Sequence, residues 1–90
     1  MPIPQPLRDI LRRYCNVEAP EARCALGAML ARPGSARRAA LFREQLERAM
    51  RDPDLTPPPY EALTGEAFDS PQAVHAWLQQ LWNELYRGGH

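Results

Sequence analysis

His75 is followed at i+4 by Gln79, where a second metal ligand on the same helical face would have to stand. The other histidine, His90, is the terminal residue after two glycines and is expected to be mobile. Cys15 could form a thiol–imidazole pair with His75, but neither residue sits in a supporting motif. Cys15 and Cys24 make neither a disulfide framework nor a metal site, and both read as free, mostly buried thiols. The five glycines are scattered among chain breakers, so there is no phosphate-cradling loop. These residue types predict no catalytic activity, no metal and no cofactor.

The remaining chemistry is charge. Residues 1–51 carry ten arginines against five acids, and residues 52–90 carry six acids against Arg87 alone. The whole chain is neutral, so the sequence predicts two oppositely charged surfaces and a charged partner or self-association. Asp52, Asp54, Glu61, Glu66 and Asp69 fall in one proline-rich stretch with Tyr60 and Phe68 between them. Such a stretch can be a solvated connection in which Asp54 and Asp69 cap helices. It can equally be a docking surface, with acids steering a basic partner and aromatics supplying buried contact.

The elements that must position these groups all have helical period. Leu7, Ile10, Leu11 and Tyr14 define a first helix over about 6–15. Residues 20–31 form a second, apolar nearly all round and therefore expected to be buried between neighbours. "RPGS" breaks the chain at 32–35, where Ser35 can cap a helix over 36–51. That helix carries Ala39, Phe42, Leu46, Ala49 and Met50 on one stripe, with Glu44–Arg48 and Glu47–Arg51 spaced to pair. A short turn is expected over 58–64, stopped by Gly65, and a last helix over 71–86, capped by Asp69 or Ser70 and stopped by Gly88 and Gly89. Nothing alternates with period two. The predicted fold is a single all-α domain, a bundle of four helices plus one short helical turn, with no sheet.

On the last helix Val74, Leu78, Leu81 and Leu85 form the core stripe. At roughly 100° per residue, Trp77 lies about 60° to one side of Val74 and Trp82 about 80° to the other. His75, Gln79 and Tyr86 neighbour Trp82, which is therefore expected to be partly exposed, and Trp77 to be buried.

Ninety residues, 44% hydrophobic and 24% charged, suit one small globular domain. No apolar run spans a membrane and the N-terminus has no signal-peptide pattern, so a cytoplasmic location is expected. Residues 32–51 also allow a helix-turn-helix-like DNA-binding regulator, with Arg37 and Arg38 opening the second helix, although Glu44 and Glu47 share its face. A homodimerising structural module is a third possibility.

The succession of "PLRDILRRY", an alanine-rich helix, "ARRAALFREQLERAM", an acidic "RDPDLTPPPYEAL" connection and "SPQAVHAWLQQLWNEL" resembles small α-helical immunity proteins of bacterial contact-dependent growth inhibition systems. The resemblance spans about residues 6–86. It implies a cytoplasmic protein that binds and neutralises the C-terminal toxin domain of a large secreted effector, often a nuclease, as a monomer within a heterodimer. Toxin-facing residues are then expected at Asp54, Tyr60, Glu61, Glu66 and Asp69, joined by His75, Trp82 and Tyr86. Arg8, Arg12, Arg37 and Arg38 remain the alternative face, toward an acidic toxin surface.

Overall fold

A computed structural model describes residues 3–18 and 20–86, apart from the side chain of Pro20. The expected stop at Gly88–Gly89 and the expected mobility of His90 lie outside the described residues. Five α-helices occur among these residues, with no strand: α1 (Leu7–Tyr14), α2 (Pro20–Ala31), α3 (Ala36–Arg51), α4 (Pro57–Thr64) and α5 (Pro71–Tyr86). The all-α class is as the periodicity requires. A single 3-10 turn, Pro33–Ser35, stands where a simple break is expected. None of the helices is long and apolar enough to cross a membrane.

Helix α3 is the centre of the bundle, packing on α5, α2 and α1. It buries Phe42, Leu46 and Ala49 from the predicted stripe. Against them lie Leu7, Ile10 and Leu11 of α1, Leu26 of α2, and Val74, Leu78 and Leu81 of α5. Arg43 meets the C-terminal end of α5 while the Asp52 carbonyl meets His75 near its start, so the two longest helices run antiparallel.

Four expectations are corrected. Residues 57–64 make a full helix of two turns, not a short turn from residue 58. Its first three residues are prolines, and the first amides of a helix have no intrahelical acceptor, so their missing N–H groups cost nothing there. Helix α2 is not buried all round. Leu26 and Met29 face the core, but Cys24, Ala25, Ala28 and Ala31 face solvent, because α1 and α3 pack on one side of the helix and leave the other open. Cys24 is accordingly an exposed thiol, while Cys15 is buried as expected. Ser35 stands at the N-cap of α3 as expected but makes no side-chain cap bond, and Asp54 does not cap α4, whose N-cap is Thr56. For α5 the two candidates resolve to Ser70, whose Oγ accepts from the Ala73 amide at 3.2 Å.

The end of α4 is tied to the chain beyond α1. Gly65, at φ +78°, turns the backbone and donates its N–H to the Glu61 carbonyl at 2.8 Å. Val17 N–H donates to the Thr64 carbonyl at 2.8 Å, and Asn16 Nδ2 to the Leu63 carbonyl at 3.1 Å. Carbonyls that a helix end leaves without partners are thus satisfied from a segment some fifty residues away in sequence. Inside the same corner Thr64 is fully buried, its hydroxyl donating to the Tyr60 carbonyl at 2.8 Å and accepting from the Glu66 amide at 3.2 Å.

Candidate partner-binding surface

The eight residues expected to face a partner fall into three places. Asp54 and Tyr60 border a groove of about 600 Å³ between the N-terminal segment, α3 and the connection 52–60. Glu61, Glu66 and Asp69 lie on or beside the turn from α4 to α5. His75, Trp82 and Tyr86 line the seam between α3 and α5.

In the first place, Tyr60 is a core residue, only 7% exposed, with one edge on the groove. Burial pushes its hydroxyl up to about 12, and the Asp52 carboxylate adds to the rise. Cys15 is pushed up to about 11, also by burial first, with Arg23 opposing and Glu84 and Glu66 assisting. Both groups are neutral when protonated, and both are raised above their unfolded values of 10.0 and 9.0. The unfolded chain therefore ionises first as pH climbs, and stability falls on the way from about pH 9 to about pH 12. The thermal midpoint is expected to drop across that range and to drop less steeply in Tyr60→Phe. Equal slopes in the two proteins would contradict the assignment.

In the second place, Glu61 braces the fold: its Oε2 accepts from the Phe68 amide at 2.8 Å. Glu66 is half-buried and Asp69 is exposed. Neither has a cationic partner among the described residues. Phe68 meets the Trp77 ring edge to face, with centroids 6.0 Å apart. Arg23 lies over the other part of that indole at 5.4 Å and bonds Glu84.

In the third place, Nε2–H of His75 donates to the Asp52 carbonyl at 2.8 Å, tying the end of α3 to α5. Trp82 and Tyr86 lie in tilted contact with centroids 4.6 Å apart, and Arg43 covers both rings, at 5.3 Å and 4.9 Å. Both tryptophans are half-buried and each lies under an arginine. Trp77 is thus not a wholly buried core residue, because Arg23 rather than another helix closes its outer side. Burial raises the Tyr86 pKa and Arg43 lowers it. Replacing Arg43 by leucine keeps an apolar cover but removes the charge, so the Tyr86 titration followed by NMR is expected to move upward. A downward move would mean that Arg43 acts only as a lid.

Ion pairing is uneven over the surface. Asp9 accepts from Arg13 at 3.0 Å and from Arg38 at 2.7 Å. Glu44–Arg48 at 3.1 Å and Glu47–Arg51 at 3.5 Å form as their spacing predicts. With Arg23 on Glu84 and Arg43 on its rings, six arginines of the basic half are engaged within the chain. Along α3, where a DNA-reading helix would need free cations, Arg37 alone is neither ion-paired nor stacked among the described residues. None of the five acids from Asp52 to Asp69 has an ion pair among the described residues. Arg8, Arg12, Arg32 and Arg37 are exposed and also lack an ion pair among the described residues, but they are spread over α1, α3 and the turn between α2 and α3, whereas the five unpaired acids fall within eighteen residues.

Several important residues escape pattern reading. Leu41 is 42% exposed on the charged face of α3, a lone apolar residue among Arg37, Glu44 and Arg48. That isolation is a usable signal. Gln45 gives none. Its Oε1 accepts from the Leu7 amide at 3.0 Å and its Nε2 donates to the Gln5 carbonyl at 2.6 Å, holding the N-terminal segment on α3. Among the described residues no group of three or more His, Cys, Asp and Glu could hold a metal ion.

The chain matches no family model, no curated protein and no solved structure.

Proposed function

We propose that this chain is an immunity protein: it binds the toxin domain of a contact-dependent growth inhibition effector and neutralises it by contact, without chemistry of its own. It acts in the cytoplasm of the cell that makes it. The observation that carries the reading is the unanswered acidity of the 52–69 side, set against a basic half whose arginines are mostly engaged internally. An exposed carboxylate without an internal partner keeps its full field for a basic partner, and such charges govern association rate and specificity. Toxins that act on nucleic acid carry basic substrate-binding surfaces, which makes the match electrostatic.

The internal roles of the acids select the variants. Glu61 is excluded because its carboxylate holds the Phe68 amide. The triple substitution Asp54→Lys, Glu66→Lys, Asp69→Lys reverses the surface and spares that brace. The genes flanking that of this chain are searched for a large secreted effector, whose C-terminal domain is co-expressed with the chain while growth and affinity are measured; flanking genes that encode no such effector would count against the reading. The wild type should restore growth. The triple variant should bind about tenfold more weakly, chiefly through slower association at low salt, with its helical circular dichroism intact. Failure of the wild type to restore growth, or full affinity in the triple variant, would refute the reading.

A further inference from the structure

The groove beside α3 combines an apolar lining with acidic residues. Ile3, Leu7, Leu41, Leu55 and Pro59 line it, and Asp52 and Asp54 join the lining. A single exposed leucine is ordinary on any protein surface. Here Leu41 is continuous with Ile3 and Pro59, both half-buried, and with the buried Leu7 and Leu55. The volume, about 600 Å³, is in the range of sites that take a ligand of a few side chains.

The charges in the lining decide what chemistry fits. Glu44 and Arg48 also reach the groove, but they pair with each other at 3.1 Å and cancel. What remains is Asp52 and Asp54. One oxygen of Asp52 accepts from the Asp54 amide at 2.9 Å, which holds the two residues together in one tight turn. The Asp54 carboxylate is exposed and without a cationic partner among the described residues. An apolar groove whose lining includes two neighbouring carboxylates complements an apolar side chain followed by an arginine or lysine.

We propose that this groove is a docking site for a short segment of a partner protein, in which leucine-like side chains cover Leu41 and Leu55 and a basic residue meets Asp52 and Asp54. The inference deepens the functional reading above by naming the kind of toxin segment that docks, and it rests on that reading for the source of the segment. The wall formed by Ile3 and Pro4 is preorganised, since Gln45 clamps the backbone of Gln5 and Leu7 from α3. A held wall spares the ordering cost of forming the site at the moment of binding.

The test needs no toxin. A fluorescein-labelled hexapeptide of alternating leucine and arginine is titrated against the full chain, with a leucine–glutamate hexapeptide as control. The arginine peptide should bind and the glutamate peptide should not. The decisive variant is Leu41→Glu, which adds a negative charge while spoiling the apolar floor. If the groove holds the peptide, this variant should bind about tenfold more weakly despite its greater acidity. If attraction is only electrostatic, the same variant should bind more tightly, which overturns the proposal. Absence of binding to the wild type, or equal affinity in Asp54→Asn, also overturns it. The growth assay is read separately: peptide binding without growth rescue keeps the groove and removes the toxin, and rescue without peptide binding does the reverse.

Discussion

Gly65→Ala is expected to destabilise the protein by about 3 kcal/mol, the sum of a backbone cost and a collision. The backbone term follows from φ +78°, a left-handed conformation that costs a residue with a Cβ roughly 1–2 kcal/mol. The collision follows from position: a Cβ on Gly65 would lie 2.9 Å from Cγ2 of Val17. Val17 is 48% exposed, so it can relieve the contact only by turning its side chain toward solvent. Its side chain is branched at Cβ and stiff at χ1, and its own amide is bonded to the Thr64 carbonyl. The two terms can be separated by urea unfolding of a double-mutant cycle. Val17→Ala in the Gly65→Ala background should recover the collision and leave a deficit of about 1–2 kcal/mol from the backbone alone. A Gly65→Ala protein within about 0.5 kcal/mol of wild type would show that the corner relaxes freely.

Gln45→Ala should cost about 2 kcal/mol, more than a polar residue on an exposed helix usually controls. The amide answers two backbone groups at once. One is the first N–H of α1, which no intrahelical carbonyl can reach, and the other is the carbonyl of Gln5. Gln45→Glu separates them. Its carboxylate still accepts from Leu7 and suits the positive end of α1, but it cannot donate to Gln5. Its loss should therefore be about half that of alanine near neutral pH and shrink on acidification, as the protonated acid regains a donor. Without the clamp the Ile3–Pro4 wall is no longer held, so Gln45→Ala should also weaken the leucine–arginine hexapeptide. If peptide affinity survives while stability falls, the wall is not part of the groove.

Helical periodicity made most of the bundle legible, because a chain with one polar face per helix has few ways to hide the other. The stripes of α1, α3 and α5 bury as read: Leu7, Ile10 and Leu11; Phe42, Leu46 and Ala49; Val74, Leu78 and Leu81. Helix α2 misleads for a definite reason. Alanine, glycine and cysteine count as apolar in a pattern, yet they are small enough to sit at the surface at little cost. Only Leu26 and Met29 needed a core. The candidate site was legible as a list of charges but not as a place. One acidic stretch reads as one surface in sequence, whereas the turn at Asp52–Asp54 and the start of α5 separate its acids into a groove lining and a loop.

The sequence by itself determined the all-α class, the positions of four helices within a residue, the self-paired face of α3 and the unequal division of charge. Each of these is local, set by spacing along one helix or by composition. Only the tertiary structure decided that Glu61 and His75 serve the backbone, that an arginine closes each tryptophan, and that Leu41 meets Ile3 and Asp54 at one groove. Those facts join residues tens of positions apart. They depend on how α3, α5 and the proline-rich connection pack, which no local spacing encodes.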